Sequence, residues 1–234
     1  MSTRTVRGIV LRRWDSGESD RRIVLLTREA GKITAVARGA RKGGSKLAGV
    51  TEPFCVADFQ LAAGRTLYVT QAQPVAGFGE LRLGFERIAA ASAWAEILDK
   101  AIHAGGAVLH GFELAVTVLH GICHAREPLA PLCWGDIRLM EGVGFAPSFA
   151  SAEYGDGGQL WISTSDGTIV QSDEPLRHIP VSPAVAISLR KLRELEGPPE
   201  YLRGAKAVVD ALGALWEHLL EVRLPARRTL TATG

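Results

Sequence analysis

The chain has 234 residues, of which 47% are hydrophobic and 22% charged, a composition that excludes a disordered chain and allows a sizeable core. No apolar run reaches the roughly 18 residues of a membrane span, the N-terminus predicts no signal peptide, and three scattered cysteines predict a reducing cytoplasm. The charge is uneven: residues 1–80 carry 13 Lys and Arg against 7 Asp and Glu, and residues 81–234 carry 14 against 18, which indicates nucleic-acid binding by the first part.

Short runs of β type fill the first 80 residues. They cover residues 6–14, 21–27, 32–37, about 54–61 and about 66–71, with a longer linker after the third. Five such strands predict a small closed barrel, with the OB-fold as the leading candidate, because closure leaves no exposed sheet edge. We therefore predict a nucleic-acid-binding OB-fold domain over residues 1–80.

From about residue 83 the apolar residues recur at helical spacing. Helices are predicted in three segments before Pro147, over 183–195 after an N-capping Ser182, and over about 200–220. Residues 148–175 form a polar, glycine-rich insert whose two apolar runs flank Asp166-Gly167 and predict a β-hairpin. The fold class is α+β, with a helical domain over 81–234 that carries this hairpin.

A glycine-rich run, AVARGARKGGSKL at residues 35–47, contains four cations and no acid. The cations are Arg38, Arg41, Lys42 and Lys46. A nucleotide-binding P-loop needs Lys before Ser or Thr at the start of a helix, but the order here is Ser-Lys and residues 47–53 are a poor helix. A solvated loop and a site for a phosphate backbone both remain open, and further cations favour the backbone: Arg4, Arg7, Arg12, Arg13, Arg21 and Arg22.

Two aromatic residues in the predicted barrel, Trp14 and Tyr68, have alternative roles. Alternation along the strand turns Tyr68 away from Leu67 and Val69. Either ring would then stack on an unpaired base or cover the barrel core or the helical domain, and the sequence leaves these alternatives open.

No motif for catalysis is present: there is no nucleophile elbow, paired carboxylate set or dinucleotide fingerprint. Asp15, Glu18 and Asp20 are interpreted as turn and capping residues. His120 and His124 share a helix face, but nothing completes a metal set around them, so ordinary packing is preferred. The sequence predicts no enzyme, no catalytic residues, no metal and no cofactor.

Several unusual fragments occur in an order that resembles the RecO family of bacterial DNA repair and recombination mediators. They are GIVLRR at 8–13, GESD at 17–20, LLTRE at 25–29, GKI at 31–33, ARGARK at 37–42, Ser45 and EPF at 52–54. Weaker matches continue at 95–98, 139–147 and 224–228. The resemblance thus covers nearly the full length, at decreasing strength.

The resemblance implies an N-terminal OB-fold, a helical C-terminal domain and no active site. It implies binding of single- and double-stranded DNA, annealing of complementary strands and, with RecR, loading of RecA onto DNA covered by single-strand-binding protein (SSB), in the cytoplasm and associated with the nucleoid. In some members the acidic SSB tail docks on the helical domain, and here the cluster Arg190, Lys191 and Arg193 is expected to receive its carboxylates.

The chain departs from the family in one place. Many members carry a four-cysteine zinc site after the GFAP element, but residues 149–171 contain no cysteine. We therefore predict a zinc-finger-like subdomain without zinc, held by apolar packing and the Asp166-Gly167 turn. Without the binding free energy of a structural metal, the insert should be locally weak.

The predicted DNA-binding set is Arg12, Arg13, Arg21, Arg38, Arg41, Lys42, Lys46 and Tyr68. Arg227 and Arg228 would extend this track or lie on a disordered tail, and the sequence does not decide between them. The alternative functions are an OB-fold transcriptional or RNA-binding module with a helical dimerisation domain, and an enzyme with an unrecognised site.

Overall fold

The structure, a computed structural model, describes residues 3–150, 159–171 and 178–232. The described residues fall into two compact units. The first holds the chain up to Gly79 together with Ala95–Val116, and the second holds Glu80–Trp94 and the chain from Thr117 onward. The proposed division of function at residues 80 and 81 stays a prediction.

A closed five-stranded barrel dominates the first unit. Its strands are β1 (Thr3–Ser16), β2 (Asp20–Thr27), β3 (Gly31–Ala37), β4 (Val56–Ala62) and β5 (Leu67–Ala76). They close in the order β1-β2-β3-β5-β4, with β4 returning to β1. Only the β3–β5 pair is parallel. The predicted fold class, an OB-type barrel followed by helices, is confirmed.

The barrel core follows from alternation along the strands, because every second side chain points inward. It contains Ile23 and Leu25 from β2, Ala35 and Ala37 from β3, and Phe59 from β4. Residues 47–53, predicted to be a poor helix, contribute a single helical turn, α1 (Leu47–Val50).

Six longer helices follow the barrel. They are α2 (Phe85–Ala101), α3 (Gly111–His124), α4 (Leu129–Gly142), α5 (Pro183–Glu194), α6 (Ala205–Leu220) and α7 (Pro225–Ala232). Ser182 caps α5 as predicted, since its hydroxyl accepts a hydrogen bond from the Val185 N–H. The last predicted helix begins five residues later than expected, and α7 was not predicted. No helix in the described chain is both long and apolar enough to cross a membrane.

The insert contains the predicted hairpin, and one further strand follows it in the chain. Strands β6 (Leu160–Ser163) and β7 (Ile169–Gln171) form the hairpin, and β8 (His178–Val181) pairs with the other edge of β6. Sequence patterns missed β8 because Pro180 counts against a strand. The turn is held by Asp166, whose carboxylate accepts the Thr168 N–H at 2.9 Å. Residues 151–158 and 172–177 of the insert lie outside the described residues.

Candidate nucleic-acid interface

The pairing of the barrel strands sorts the predicted DNA-binding arginines into two sets. Arg13 pairs with Ile23, and Arg21 pairs with Ala37. Paired residues share a face of the sheet, so both arginines lie on the side of the core residues. Arg12 and Arg38 lie on the other side, one residue away from these positions. All four side chains are positively charged, but the two on the core side and the two on the opposite side have different surroundings.

Arg13 and Arg21 belong to an ion-pair cluster with Glu52. The Arg21 Nη1 atom lies 2.9 Å from one Glu52 oxygen, and the Arg13 Nε atom lies 2.9 Å from the other. Arg21 also donates hydrogen bonds to Thr51 Oγ1 and to the Ala48 carbonyl, and its side chain is only 13% exposed. These contacts fasten the segment around α1 to the barrel strands.

Arg41 joins the glycine-rich segment 38–46, called the basic loop from here on, to the β1–β2 turn. Its Nε atom lies 3.3 Å from an Asp15 oxygen, and its Nη1 atom donates to the Gly17 and Glu18 carbonyls. In return, the Asp20 carboxylate accepts the Gly39 N–H at 2.8 Å. Asp15 and Asp20 therefore hold backbone and arginine groups, which agrees with their interpretation as turn residues.

The other cations of the basic loop meet no carboxylate in the part of the chain that the structure describes. Arg38, Lys42 and Lys46 are exposed, and no carboxylate among the described residues lies within ion-pair distance of them. The Arg38 guanidinium instead lies over the Tyr68 ring, 4.1 Å from its centroid. The loop therefore presents positive charge that the rest of the described chain does not neutralise.

Arg12 is in an intermediate position. Its Nε atom lies 3.1 Å from an Asp99 oxygen, yet its side chain is 59% exposed. Asp99 is shared with Lys32, whose ammonium lies 3.2 Å from the other oxygen. Because one carboxylate faces two cations, Arg12 keeps part of its charge for another partner. Its guanidinium also covers the Trp14 ring at 4.9 Å.

On α5, the three residues predicted to bind a partner have different surroundings. Arg190, Lys191 and Arg193 are all exposed. Arg193 already donates a hydrogen bond to the Ser148 carbonyl at 2.9 Å, and its Nε atom lies 3.8 Å from a Glu141 oxygen. Arg193 thus ties α5 to the chain that enters the insert.

Arg227 and Arg228 both lie in α7, so neither of them belongs to a disordered tail. Arg227 is 3% exposed and forms a buried ion pair with Asp136 of α4. Trp216 donates to the same carboxylate at 3.2 Å. Burial raises the pKa of Asp136, against the opposing effect of Arg227. Arg227 is therefore part of the core, and neither of the two alternatives applies to it.

Arg228 lies on the exposed side of α7, where its Nη2 atom is 2.9 Å from a Glu217 oxygen. Sequence reasoning missed this helix, although Pro225 at its first position is a known start signal. The helix was hard to predict because it is short and because Arg227 pairs with Asp136, which is far away in sequence.

The histidine pair on α3 has the predicted proximity. The rings of His120 and His124 lie 4.4 Å apart. Within the described ranges, no three His, Cys, Asp or Glu side chains are grouped as a metal site would require.

Comparison with known proteins adds family evidence to this geometry. The family model described as "Recombination protein O N terminal" matches residues 1–78, and "Recombination protein O C terminal" matches residues 82–154. A "DNA repair protein RecO" from Anaeromyxobacter dehalogenans (strain 2CP-C) is 31% identical over 242 residues, which cover 97% of this chain and 95% of that protein.

Two further relatives of the same name match over shorter stretches. The protein from Heliobacterium modesticaldum is 36% identical over 145 residues, covering 61% of this chain and 52% of the relative. The protein from Gloeobacter violaceus is 39% identical over 158 residues, which cover 63% of this chain and 58% of the relative. From the two family models and the near full-length match, this chain belongs to the RecO family of DNA repair proteins.

Proposed function

We propose that this protein is a recombination mediator that binds single- and double-stranded DNA without sequence specificity, through the phosphate backbone. The observation that carries the proposal is the uncompensated charge of Arg38, Lys42 and Lys46 on a loop that Arg41 fastens to the barrel. Membership of the RecO family supports the same function.

Phosphate contacts explain why such a site would ignore sequence. Lysine and arginine side chains that neutralise phosphates release condensed counterions, and this contribution does not depend on the bases. Arg12, with its shared carboxylate, would extend the contact surface from the basic loop. Arg13 and Arg21 act indirectly in this account, because Glu52 holds both of them and they support the segment that follows the loop.

Annealing follows from the same charge. Two complementary strands repel each other, and a basic surface that binds both lowers that repulsion without any bond being made or broken. We therefore propose a non-enzymatic protein with no cofactor, which acts in the cytoplasm and in association with the nucleoid.

We further propose the partners that the family implies: RecR, and through it RecA, on strands coated with SSB. For the acidic SSB tail we propose Arg190, Lys191 and Arg193 of α5, all three exposed, as the receiving charges. The Arg193 guanidinium also contacts Ser148 and Glu141. Titration calorimetry with a tail peptide tests this: the double variant Arg190→Ala, Lys191→Ala should weaken binding, and unchanged binding would rule out this face.

The function itself is tested by annealing of two complementary oligonucleotides coated with SSB. The wild-type protein should accelerate annealing of any sequence without nucleotide or metal. Lys42→Glu with Lys46→Glu should abolish the acceleration, since both side chains are exposed and meet no carboxylate among the described residues.

Arg203→Glu with Arg223→Glu makes the same change in net charge at two exposed positions beside α6, and it should leave the rate unchanged. Equal rates for wild type and the loop variant would contradict the proposal. Acceleration restricted to RNA or to particular sequences would instead favour a transcriptional or RNA-binding module.

A further inference from the structure

We propose that a row of four side chains on the outer face of the barrel selects unpaired nucleotides, with Trp14 and Tyr68 as stacking platforms at its two ends. This inference rests on the proposed DNA binding and adds a second kind of contact to it. The basic loop would bind phosphates of any DNA, whereas this row would bind only bases whose faces are free.

The row follows directly from the strand register. Trp14 of β1 pairs with Arg22 of β2, Arg22 pairs with Val36 of β3, and Val36 pairs with Tyr68 of β5. Paired positions on neighbouring strands present their side chains on the same face. Because Ile23, Ala35 and Val69 belong to the core, the residues beside them in sequence face outward. These four side chains, called the outer row below, thus cross four strands in one line.

The chemistry of the outer row suits bases as well as phosphates. Trp14 is 37% exposed, and Tyr68 is half-buried. Each ring has a guanidinium over it, from Arg12 at 4.9 Å and from Arg38 at 4.1 Å. A base would extend such a stack or exchange with the guanidinium, which is then free to meet the adjacent phosphate.

Between the rings, the row offers the positive charge of Arg22, next to a valine that is almost fully buried. Arg22 is exposed, and among the described residues no carboxylate lies within ion-pair distance of it. Val36 is 7% exposed. No residue of the row is acidic, so nothing in it would repel the backbone of a strand that crosses the barrel.

The length of the outer row fits a short single-stranded segment. Three strand spacings of about 4.8 Å separate Trp14 from Tyr68, or roughly 14 Å along the surface. Stacked nucleotides rise about 3.4 Å each, so about four of them, or fewer in an extended strand, would bridge the rings. OB-folds bind single strands in segments of about 4–16 nucleotides.

A duplex cannot use these platforms, because both faces of every internal base are covered by its neighbours. The outer row would therefore contribute to binding of single strands and add nothing to binding of duplexes. During annealing, the newly paired product would lose these contacts and would be released more readily than the unpaired strands.

The experiment compares oligo-dT with an abasic oligonucleotide of the same length and charge, by fluorescence anisotropy of a labelled strand. Wild type should prefer oligo-dT by about tenfold or more, as expected from the contribution of one or two stacked bases. Trp14→Ala and Tyr68→Ala should each weaken oligo-dT binding about tenfold and leave abasic and duplex binding unchanged. Trp14→Phe and Tyr68→Phe should retain the preference.

A matched control lies outside the barrel. Tyr201 is 54% exposed and also has a guanidinium over its ring, from Arg126 at 5.3 Å. Tyr201→Ala should therefore bind every probe like wild type. If the alanine variants fail to fold, Trp14→Leu and Tyr68→Leu decide, because leucine fills part of the same volume without an aromatic face.

The outcomes separate this inference from the proposed function. Equal wild-type affinity for oligo-dT and the abasic strand would overturn the stacking row, and so would variants that weaken both probes equally. If abasic binding is strong and salt-dependent in those cases, the phosphate site stands. If abasic binding is weak and insensitive to Lys42→Glu with Lys46→Glu, the proposed function fails, whatever the row does.

Discussion

Lys42 and Lys46 of the basic loop and the Arg227-Arg228 pair of α7 belong to similar basic runs, but their surroundings are opposite. In the loop, Lys42 and Lys46 are exposed and meet no carboxylate in the described chain. In α7, Arg227 is buried against Asp136, and Arg228 is paired with Glu217. The comparison teaches that adjacent cations in a sequence differ in whether the fold brings an acid to them, and we expect only those without one to bind DNA.

The same contrast exists inside the barrel, over a shorter distance. Arg21 and Arg22 are adjacent in sequence, but Arg21 faces Glu52 at the barrel end and Arg22 faces outward. Removing or reversing the charge of a cation that is paired with an acid should therefore lower the stability of the fold. The same change at an exposed cation without an acid should weaken DNA binding. Of the four predictions below, ordered from the largest expected effect to the smallest, the first two test this separation, and the other two concern the fastening of the basic loop and the insert turn.

The largest effect is expected at the buried ion pair. Asp136→Ala removes the partner of Arg227 and leaves a guanidinium without compensation in the core, which should lower the free energy of unfolding by about 3–5 kcal/mol. Urea unfolding followed by circular dichroism measures the change. Arg228→Ala, on the exposed side of the same helix, should shift the midpoint only slightly. Comparable losses in the two variants would contradict the contrast within α7.

A smaller loss of stability is expected at Arg21, which connects strand β2 to the segment around α1. Arg21→Met removes three hydrogen bonds to Ala48, Thr51 and Glu52 and should lower the free energy of unfolding by about 2 kcal/mol. Lys42→Met makes the same change in charge at an exposed side chain that forms no ion pair with the described residues, so its unfolding free energy should stay within about 0.5 kcal/mol of wild type. A stable Arg21→Met protein with weakened DNA binding would assign Arg21 to the phosphate surface instead.

The next prediction concerns the fastening of the loop. Gly39 has a φ of +64°, so Gly39→Ala should cost about 1 kcal/mol of backbone strain and loosen the hydrogen bond to Asp20. Gly43→Ala meets open space and is the matched control. Thermal unfolding and DNA titration should show a change for the first variant and none for the second. The same unfolding temperature and DNA affinity in both variants would show that neither property depends on the conformation of the basic loop at Gly39.

The smallest effect is expected at the insert turn. The backbone hydrogen bond from Thr168 lowers the pKa of Asp166, so ionised Asp166 stabilises the folded state above the unfolded pKa, about 3.9, and this stabilisation is lost as pH falls through the lower folded value. Asp166→Asn keeps the acceptor oxygen and removes the ionisation. As pH falls below about 4, the unfolding midpoint of this variant should therefore decrease less than that of wild type. The same dependence of the midpoint on pH in both proteins would contradict this role of Asp166.

Much of the barrel was predictable because its signals are local. Alternation of side chains and turn residues identified five strands and the hairpin, and a single-turn α1 agrees with a poor helical pattern at residues 47–53. Strand β8 and helix α7 were missed, since Pro180 argued against a strand and α7 is stabilised by Asp136, far away in sequence.

The division of the arginines was partly readable from sequence. Arg21 lies two residues before the core residue Ile23, so alternation alone places it on the inner side and Arg22 on the outer. Its partner Glu52 was not predictable, because that contact depends on how the β3–β4 connection closes the barrel. The outer row likewise required the register between β3 and β5, which is a long-range property.

The most direct test of the central claim is the salt dependence of single-stranded DNA binding by the triple variant Arg38→Met, Lys42→Met, Lys46→Met. Each lost phosphate contact should reduce the slope of log K against log salt by about 0.7. The account predicts a slope smaller by roughly 2, with an unfolding midpoint close to that of wild type. An unchanged slope in a folded protein would show that the exposed cations of the basic loop do not bind DNA.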